Sequence, residues 1–288
     1  MITTPPASDF DKISPTALLV AYARQFSDIP YTKEVAELTD AAATLKQFGE
    51  GRQEQPVVAA ALVEARYKMI EQVVARFNGM QILEIASGLL PRGIIRSQNP
   101  DVTFIESDLP GMIYRKEQVV QQLIGSRPNL HFLAIDVTSR PNPLPLTGYF
   151  HSEKPVTLLS EGLLMYLTFA EKQQVCANVR EMLQTYGGVW ITSDFTTKAG
   201  SGQMRQNDPA LRQLNQKISS LTGRSLTENE FDHLEHAKHF ALEQGFRVEE
   251  FSMLEVFDQL NCVSVLRIDL ERAKPLLAAT PVFALTLA

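Results

Sequence analysis

Apolar residues recur every three or four positions through residue 79; from residue 81 they gather into short unbroken runs. The first pattern belongs to helices that turn one face to a core, the second to strands buried on both faces. "SPTALLVAYARQF" and "TKEVAELTDAAATLKQF", separated by the turn "DIPY", predict two helices. "QPVVAAALVEARYKMIEQVVARFNG" predicts a longer third, with Pro56 in its first turn and Gly79 at its stop. The runs "QILEIA", "VTFIE", "LHFLAID", "PVTLLS", "GGVWITSD", "RVEEFSM" and "CVSVLRIDL" predict strands. Between them lie helix starts: capping boxes at Thr168–Glu171 and Thr227–Glu230, and Asp208-Pro209 opening a segment that stops at Gly223.

Strands alternating with helices predict an α/β fold, a Rossmann-like doubly wound sheet of about seven strands. Residues 1–79 form a helical extension that caps this core, and residues 80–288 form the core itself. The stretch from Thr196 to Ser225 interrupts the alternation after the fifth strand, where an insertion would sit above the sheet as a lid. The closing "PLLAATPVFALTLA" is too short and too interrupted to span a bilayer, and is expected to pack on the surface or pair with a neighbour.

Composition narrows the function. Of 288 residues, 44% are hydrophobic and 21% charged, enough apolar material for a sizeable core. The net charge of -6 argues against a general nucleic-acid binder or a basic membrane-surface protein. Two distant cysteines, Cys176 and Cys262, make neither a disulfide framework nor a zinc site. No signal-peptide pattern opens the chain, so a cytoplasmic protein is expected.

The chemistry concentrates at the strand ends. Glu84 lies in the first run, Glu106 and Asp108 end the second, Asp136 the third, Glu161 the fourth and Asp194 the fifth. Ligands of open α/β sheets sit outside the carboxyl ends of the strands, so these acids are expected to meet in one crevice. Such a crevice repels a diphosphate and suits hydroxyls, an amino group or a cation. The loop "ILEIASGLLPRG" agrees: Gly88 allows close backbone approach, but Ala86 and Leu90 stand where a dinucleotide loop would carry glycine. The implied ligand is a nucleoside without phosphates, and S-adenosyl-L-methionine (SAM) has the required diol, adenine amine, ammonium and sulfonium.

Its carboxylate needs a cation. Arg66 sits in the middle of the apolar stripe Val58, Leu62, Ile70, Val73 and Phe77 of the third helix. It either pairs with a structural glutamate or snorkels to solvent, or it clamps the ligand carboxylate. Tyr166 and Asp194 are candidates near the acceptor, Tyr166 being equally readable as a packed core aromatic. His233, His236 and His239 fit a solvated helix face better than a metal site, and no metal is expected.

These residues also carry a resemblance. "LEIASGLLPRG", "FIESDLPGMIYRKEQV", "LLSEGLLMYLT" and "VEARYKMI" resemble, in order, the cofactor loop, the acid-x-Asp-hydrophobic-Pro motif, the fourth-strand Glu motif and the arginine-bearing helix of the leucine carboxyl methyltransferase family, including its bacterial small-molecule O-methyltransferases. The resemblance runs from about Ser14 into the 190s. It implies a class I SAM-dependent methyltransferase in which Arg66 holds the methionine carboxylate and the backbone at Ala86 and Gly88 approaches the cofactor. Glu84 would belong to the same site, Asp108 with Glu106 nearby would take the ribose, Asp136 with Val137 the adenine, and Glu161 the amino or sulfonium side. The family's assisting N-terminal basic residue has Arg24 as its candidate here. The acceptor implied is a small molecule bearing a carboxylate or hydroxyl. An NAD(P)-dependent oxidoreductase and a SAM-binding module without turnover are the alternative readings.

Overall fold

A computed structural model describes residues 14–43, 55–144, 148–202 and 209–288. Three helices come first, α1 (Ser14–Arg24), α2 (Thr32–Leu38) and α3 (Gln55–Arg76). Then β1 (Gln81–Ile85), α4 (Arg92–Arg96), β2 (Thr103–Asp108), α5 (Pro110–Ile124), β3 (Leu130–Ala134), β4 (Val156–Ser160), α6 (Phe169–Tyr186) and β5 (Gly188–Thr192) alternate. Beyond β5 lie α7 (Pro209–Thr222), α8 (Leu234–Glu243), β6 (Phe246–Phe251), α9 (Asn261–Leu266), α10 (Leu270–Ala278) and β7 (Val282–Leu287). The seven strands form one sheet in the order β3-β2-β1-β4-β5-β7-β6. The first five strands run parallel, and β7 enters antiparallel between β5 and β6.

The strands alternate their side chains between two cores, as a period of two requires. Ile82, Phe104, Leu159 and Ile191 pack with Met69, Ile70 and Val73 of α3. Their neighbours Leu83, Ile105, Leu158 and Trp190 pack with Val175 and Val179 of α6 and Phe240 of α8. α3, with Ala23 of α1, thus shares the sheet's own apolar cluster, whereas Leu18 and Ala21 of α1 and Val35 and Ala36 of α2 pack with Leu89 and Met112. Chain reversal falls where left-handed residues permit it. α3 is stopped by Asn78 (φ 49°), and Gly79 serves packing instead, because a Cβ there would lie 2.8 Å from Thr157 Oγ1.

Besides α2, which ends at Leu38 with Asp40 left-handed (φ 49°) inside the stretch expected to be one helix, two elements differ from the sequence expectation. Cys262–Leu270 is not a strand: it forms α9, a left-handed turn at Arg267 (φ 52°) and the first residue of α10. The buried Glu64 carboxylate on α3 accepts the backbone N–H of Asn261 and Cys262 at 2.8 and 2.9 Å, and this remote cap overrides the β-branched composition. The seventh strand is instead "VFALTL" in the C-terminal stretch, which pairs within the sheet rather than on the surface. The second difference concerns capping. The Thr168–Glu171 box forms as expected, but Thr227 starts no helix. Asn229 and Phe231 are held elsewhere, by Lys172 Nζ on the Asn229 carbonyl and by backbone bonds of Phe231 to Thr196 and Lys198. α8 begins four residues later than Glu230, with His233 as its cap. Asp208, expected to open α7, lies outside the described residues, whereas Gly223 (φ 66°) follows the end of α7 as predicted.

This arrangement yields a contrast. Phe283, fully buried in β7 against Phe195, should cost about 3–5 kcal/mol when changed to Ala. Val265→Ala, at a 55% exposed site on α9, should stay within about 0.5 kcal/mol. Urea unfolding measures both, and equal losses would contradict this placement of the seventh strand.

Candidate functional site

A cavity of about 640 Å³ opens over the carboxyl ends of the parallel strands. The sheet order sets its floor, because the segments following β3, β2, β1 and β4 meet it side by side: Asp136 and Val137, then Asp108, then Ala86 to Leu90, then Glu161. α1 and α3 supply one wall, and single residues of α7 (Ile218) and α10 (Leu276) complete it.

Its electrostatic centre is Glu161. One carboxylate oxygen accepts Arg24 Nη2 at 2.7 Å and Arg66 Nη2 at 2.9 Å, and the other accepts Arg92 Nη2 at 3.2 Å. Burial alone would raise the Glu161 pKa; the three guanidinium groups instead pull it down to about 2. Arg66 therefore does leave the apolar stripe to meet a glutamate, yet it also lines the cavity, and Arg24 joins it from α1. The Nε atoms of Arg24 and Arg66 are buried with no hydrogen-bond partner among the described residues. Unsatisfied guanidinium donors beside an ionised carboxylate fit a zwitterion, whose carboxylate takes the donors and whose ammonium takes Glu161.

The loop after β1 is shaped by two left-handed residues, Ala86 (φ 52°) and Gly88 (φ 50°). Its first turn still demands the conformation that glycine adopts freely, and an alanine holds it at an expected cost on the order of 1–2 kcal/mol. The loop is thus less relaxed than its sequence suggests. Gly88 N–H donates to Asp108 Oδ2 at 2.8 Å and Leu109 N–H to Oδ1 at 2.8 Å, fixing that carboxylate at the edge of β2. Burial raises the Asp108 pKa against these two bonds. Asp136 is steadied by Thr138, whose N–H and hydroxyl donate to it at 2.9 and 2.6 Å.

Three predicted residues are not in the cavity wall. Glu84 and Glu106 are fully buried neighbours on β1 and β2, paired with Arg92 and with Lys116 respectively. Glu106 lies two residues before Asp108, roughly 7 Å deeper along the strand, so it supports the floor and cannot reach a ligand. Gly93 belongs to this support: a Cβ there would fall 2.2 Å from Glu106 Oε1. Asp194 is buried too, and its carboxylate accepts the N–H groups of Gly162, Leu163 and Leu164 at 2.6, 2.8 and 3.2 Å. It organises the turn after β4 and lies outside the cavity wall. Tyr166 does line the cavity, its hydroxyl bonded to Thr16 and its pKa raised by burial.

The histidines lie elsewhere. His233 caps α8, His236 stacks on Phe169, and His239 pairs with Glu243 at 3.1 Å. Among the described residues no cluster of three His, Cys, Asp or Glu side chains could hold a metal, and no helix is long and apolar enough to cross a membrane. The residue that sequence reasoning missed is Arg92. It is fully buried, ion-paired with Glu84, Glu161 and Glu71, and placed over the Tyr67 ring. Burial would lower its pKa, but the carboxylates raise it well above the ordinary arginine value. Its only sequence signal was a charge flanked by apolar residues in "LLPRGIIR".

Residues 14–180, more than half of the chain, match the leucine carboxyl methyltransferase family model. The chain belongs to that family and is a SAM-dependent methyltransferase. Solved structures agree on the fold. A DUF574 family protein from Streptomyces avermitilis is similar at 14% identity and a TM-score of 0.57, over 94% of this chain and 96% of its own. A protein from Thermobifida fusca described as a putative methyltransferase is similar at 14% identity and a TM-score of 0.56, over 99% of both chains. The methyltransferase domain of bacterial CtHen1-C matches at 12% identity and 0.51, over 78% of this chain and 98% of that domain. No curated protein matches the chain.

Removing Arg92 strands the buried Glu84 carboxylate and takes one of three guanidinium partners from Glu161. Arg92→Met is expected to cost about 3–5 kcal/mol, and adding Glu84→Gln should restore part of it. Chemical denaturation of both variants checks this; strict additivity would show that the two residues do not share a charge.

Proposed function

We propose that the protein transfers the SAM methyl group to an oxygen of a small molecule, and specifically to a carboxylate. One observation carries this reading: among the described residues lining the cavity there is no histidine, lysine or cysteine. Asp108 and Glu161 in that wall are held by backbone amides and by arginines, Asp136 accepts Thr138 on one oxygen, and Asp194, outside the wall, accepts three backbone amides. A carboxylate acceptor is already ionised at neutral pH and needs no base, whereas an alcohol or phenol does.

In this reading Arg66 and Arg24 hold the methionine carboxylate and Glu161 the ammonium. Asp108 takes the ribose hydroxyls and Asp136, with Val137 beside it, the adenine edge. The bound cofactor supplies an electrophilic methyl on a positive sulfur; the chain's part is to fix both reactants in line and to exclude water. Residues 1–79 act as a cap over this site, and 196–225 act as a lid through α7. A nicotinamide dinucleotide is disfavoured, since the described cavity floor presents Asp108, Asp136 and Glu161 to its phosphates.

Two measurements test the reading. Calorimetry should show binding of SAM and S-adenosylhomocysteine and none of NAD. Arg66→Met should weaken SAM by about ten- to hundredfold, the loss of one charge-assisted hydrogen bond. The pH profile separates the acceptors: with a carboxylate, kcat/KM should stay flat between roughly pH 6 and 9, whereas a climb through a phenol's titration would overturn the carboxylate assignment.

A further inference from the structure

The charges around the cavity balance. Arg24, Arg66 and Arg115 face Asp108, Asp136 and Glu161, three of each sign among the described lining residues. SAM adds a zwitterion, which is neutral, and a sulfonium, which is not. The loaded cavity therefore carries one uncompensated positive charge, and a single negative charge on the acceptor completes it.

The far side of the cavity shows what that charge is attached to. Along the floor the ligand-facing groups run from Asp136 after β3 and Asp108 of β2, past the loop after β1, to Glu161 after β4, so the space beyond Glu161 is the side left for the acceptor. The described lining of the cavity is mostly apolar and includes Leu19 and Val20 of α1, Leu62 of α3, Met165 after β4, Ile218 of α7 and Leu276 of α10. Among the polar groups of the lining, the Tyr166 hydroxyl and Thr16 are bonded to each other. A second charge, or a string of peptide amides, would be desolvated there without partners, at a cost of kilocalories per group.

We infer that the acceptor is a monocarboxylic acid carried on an apolar, otherwise uncharged body, rather than an amino acid, a diacid or a peptide C-terminus; the inference rests on the carboxylate reading above. The chemistry suits the wall. A carboxylate oxygen lone pair forms the new bond to the methyl carbon while the carbon–sulfur bond breaks and its electron pair stays on sulfur. An anion and a sulfonium become a neutral ester and a neutral thioether, and no proton moves. Charges that disappear along the reaction are helped by an apolar, water-poor surrounding, because the reactants lose more solvation than the transition state does.

The test uses the full-length protein with SAM and defined acceptors: octanoate and 4-phenylbutyrate as apolar monoacids, suberate as the diacid of octanoate's length, leucine, a leucine-terminated tripeptide, and octanol. Methyl products are identified by mass spectrometry, and SAM binding is measured separately by calorimetry. At least one apolar monoacid should be esterified with kcat/KM about tenfold or more above suberate, leucine and the peptide. Ile218→Lys, which puts a cation in the wall, should lower the octanoate value and raise the suberate value, a gain that misfolding cannot produce. Esterification of suberate, leucine or the peptide as readily as octanoate overturns the inference and leaves the carboxylate reading standing. Failure to esterify either monoacid while SAM binds also overturns it. Transfer to octanol alone overturns the carboxylate reading itself.

Discussion

Burying the Glu161 carboxylate among three arginines is the constraint that organises this molecule. A lone ion at that depth would cost several kcal/mol, so β4 can present Glu161 only where α1, α3 and α4 each deliver a guanidinium. Those helices come from three separate parts of the chain, and their docking on the sheet is tied to the same point that faces the ligand. The titration behaviour of the cluster is opposed. Glu161 sits at about 2, below its ordinary value, so it releases its proton more readily in the folded state. Its stabilisation is present at neutral pH and lost as the pH falls from about 4.5 toward 2. Burial lifts Glu84 to about 7 against the pull of Arg92, so between about 4.5 and 7 this group favours the folded state less as the pH rises.

The second constraint is the backbone of the loop after β1. Two left-handed residues turn Gly88 N–H toward Asp108, so the turn that clears room for a ligand also orients an acid beside it. Gly93 lets the first turn of α4 close over Glu106, and Lys116 neutralises that glutamate from α5. The cavity floor is therefore a layer of ion pairs covered by a layer of ligand-facing groups, one strand step apart. This layering explains why substitutions in the lower layer should act on folding and those in the upper layer on binding.

Much of this was legible in the chain. Five apolar runs mark the parallel strands and a sixth the antiparallel edge strand β6, and Arg66 stood out because a charge interrupted a helical stripe. The crevice itself was found from acids at strand ends. What the pattern could not resolve was depth: Asp108 and Glu106 differ by one pleat repeat, and only the folded strand shows which of them reaches the edge. Asp194 looked like its neighbours until its three amide partners were visible. Arg92 lies in a helix too short to have a periodicity. "CVSVLRIDL" has a strand's composition but is turned into helix by Glu64, a residue almost two hundred positions away that caps α9, and the apolar "VFALTL" is the seventh strand.

The antiparallel strand has a consequence for how the protein is made. β5 and β6 do not touch each other; each is hydrogen-bonded to β7, which follows both in the chain. During synthesis the parallel half can assemble as it emerges, but β5 keeps one unpaired edge and β6 has no strand to join until residues 282–287 arrive. The nascent chain therefore carries an open, adhesive border through the translation of everything after β5. Closure comes in a single late event, in which β7 inserts between two waiting strands and pairs on both sides at once, with Phe283 and Leu285 entering the core already formed around Trp190.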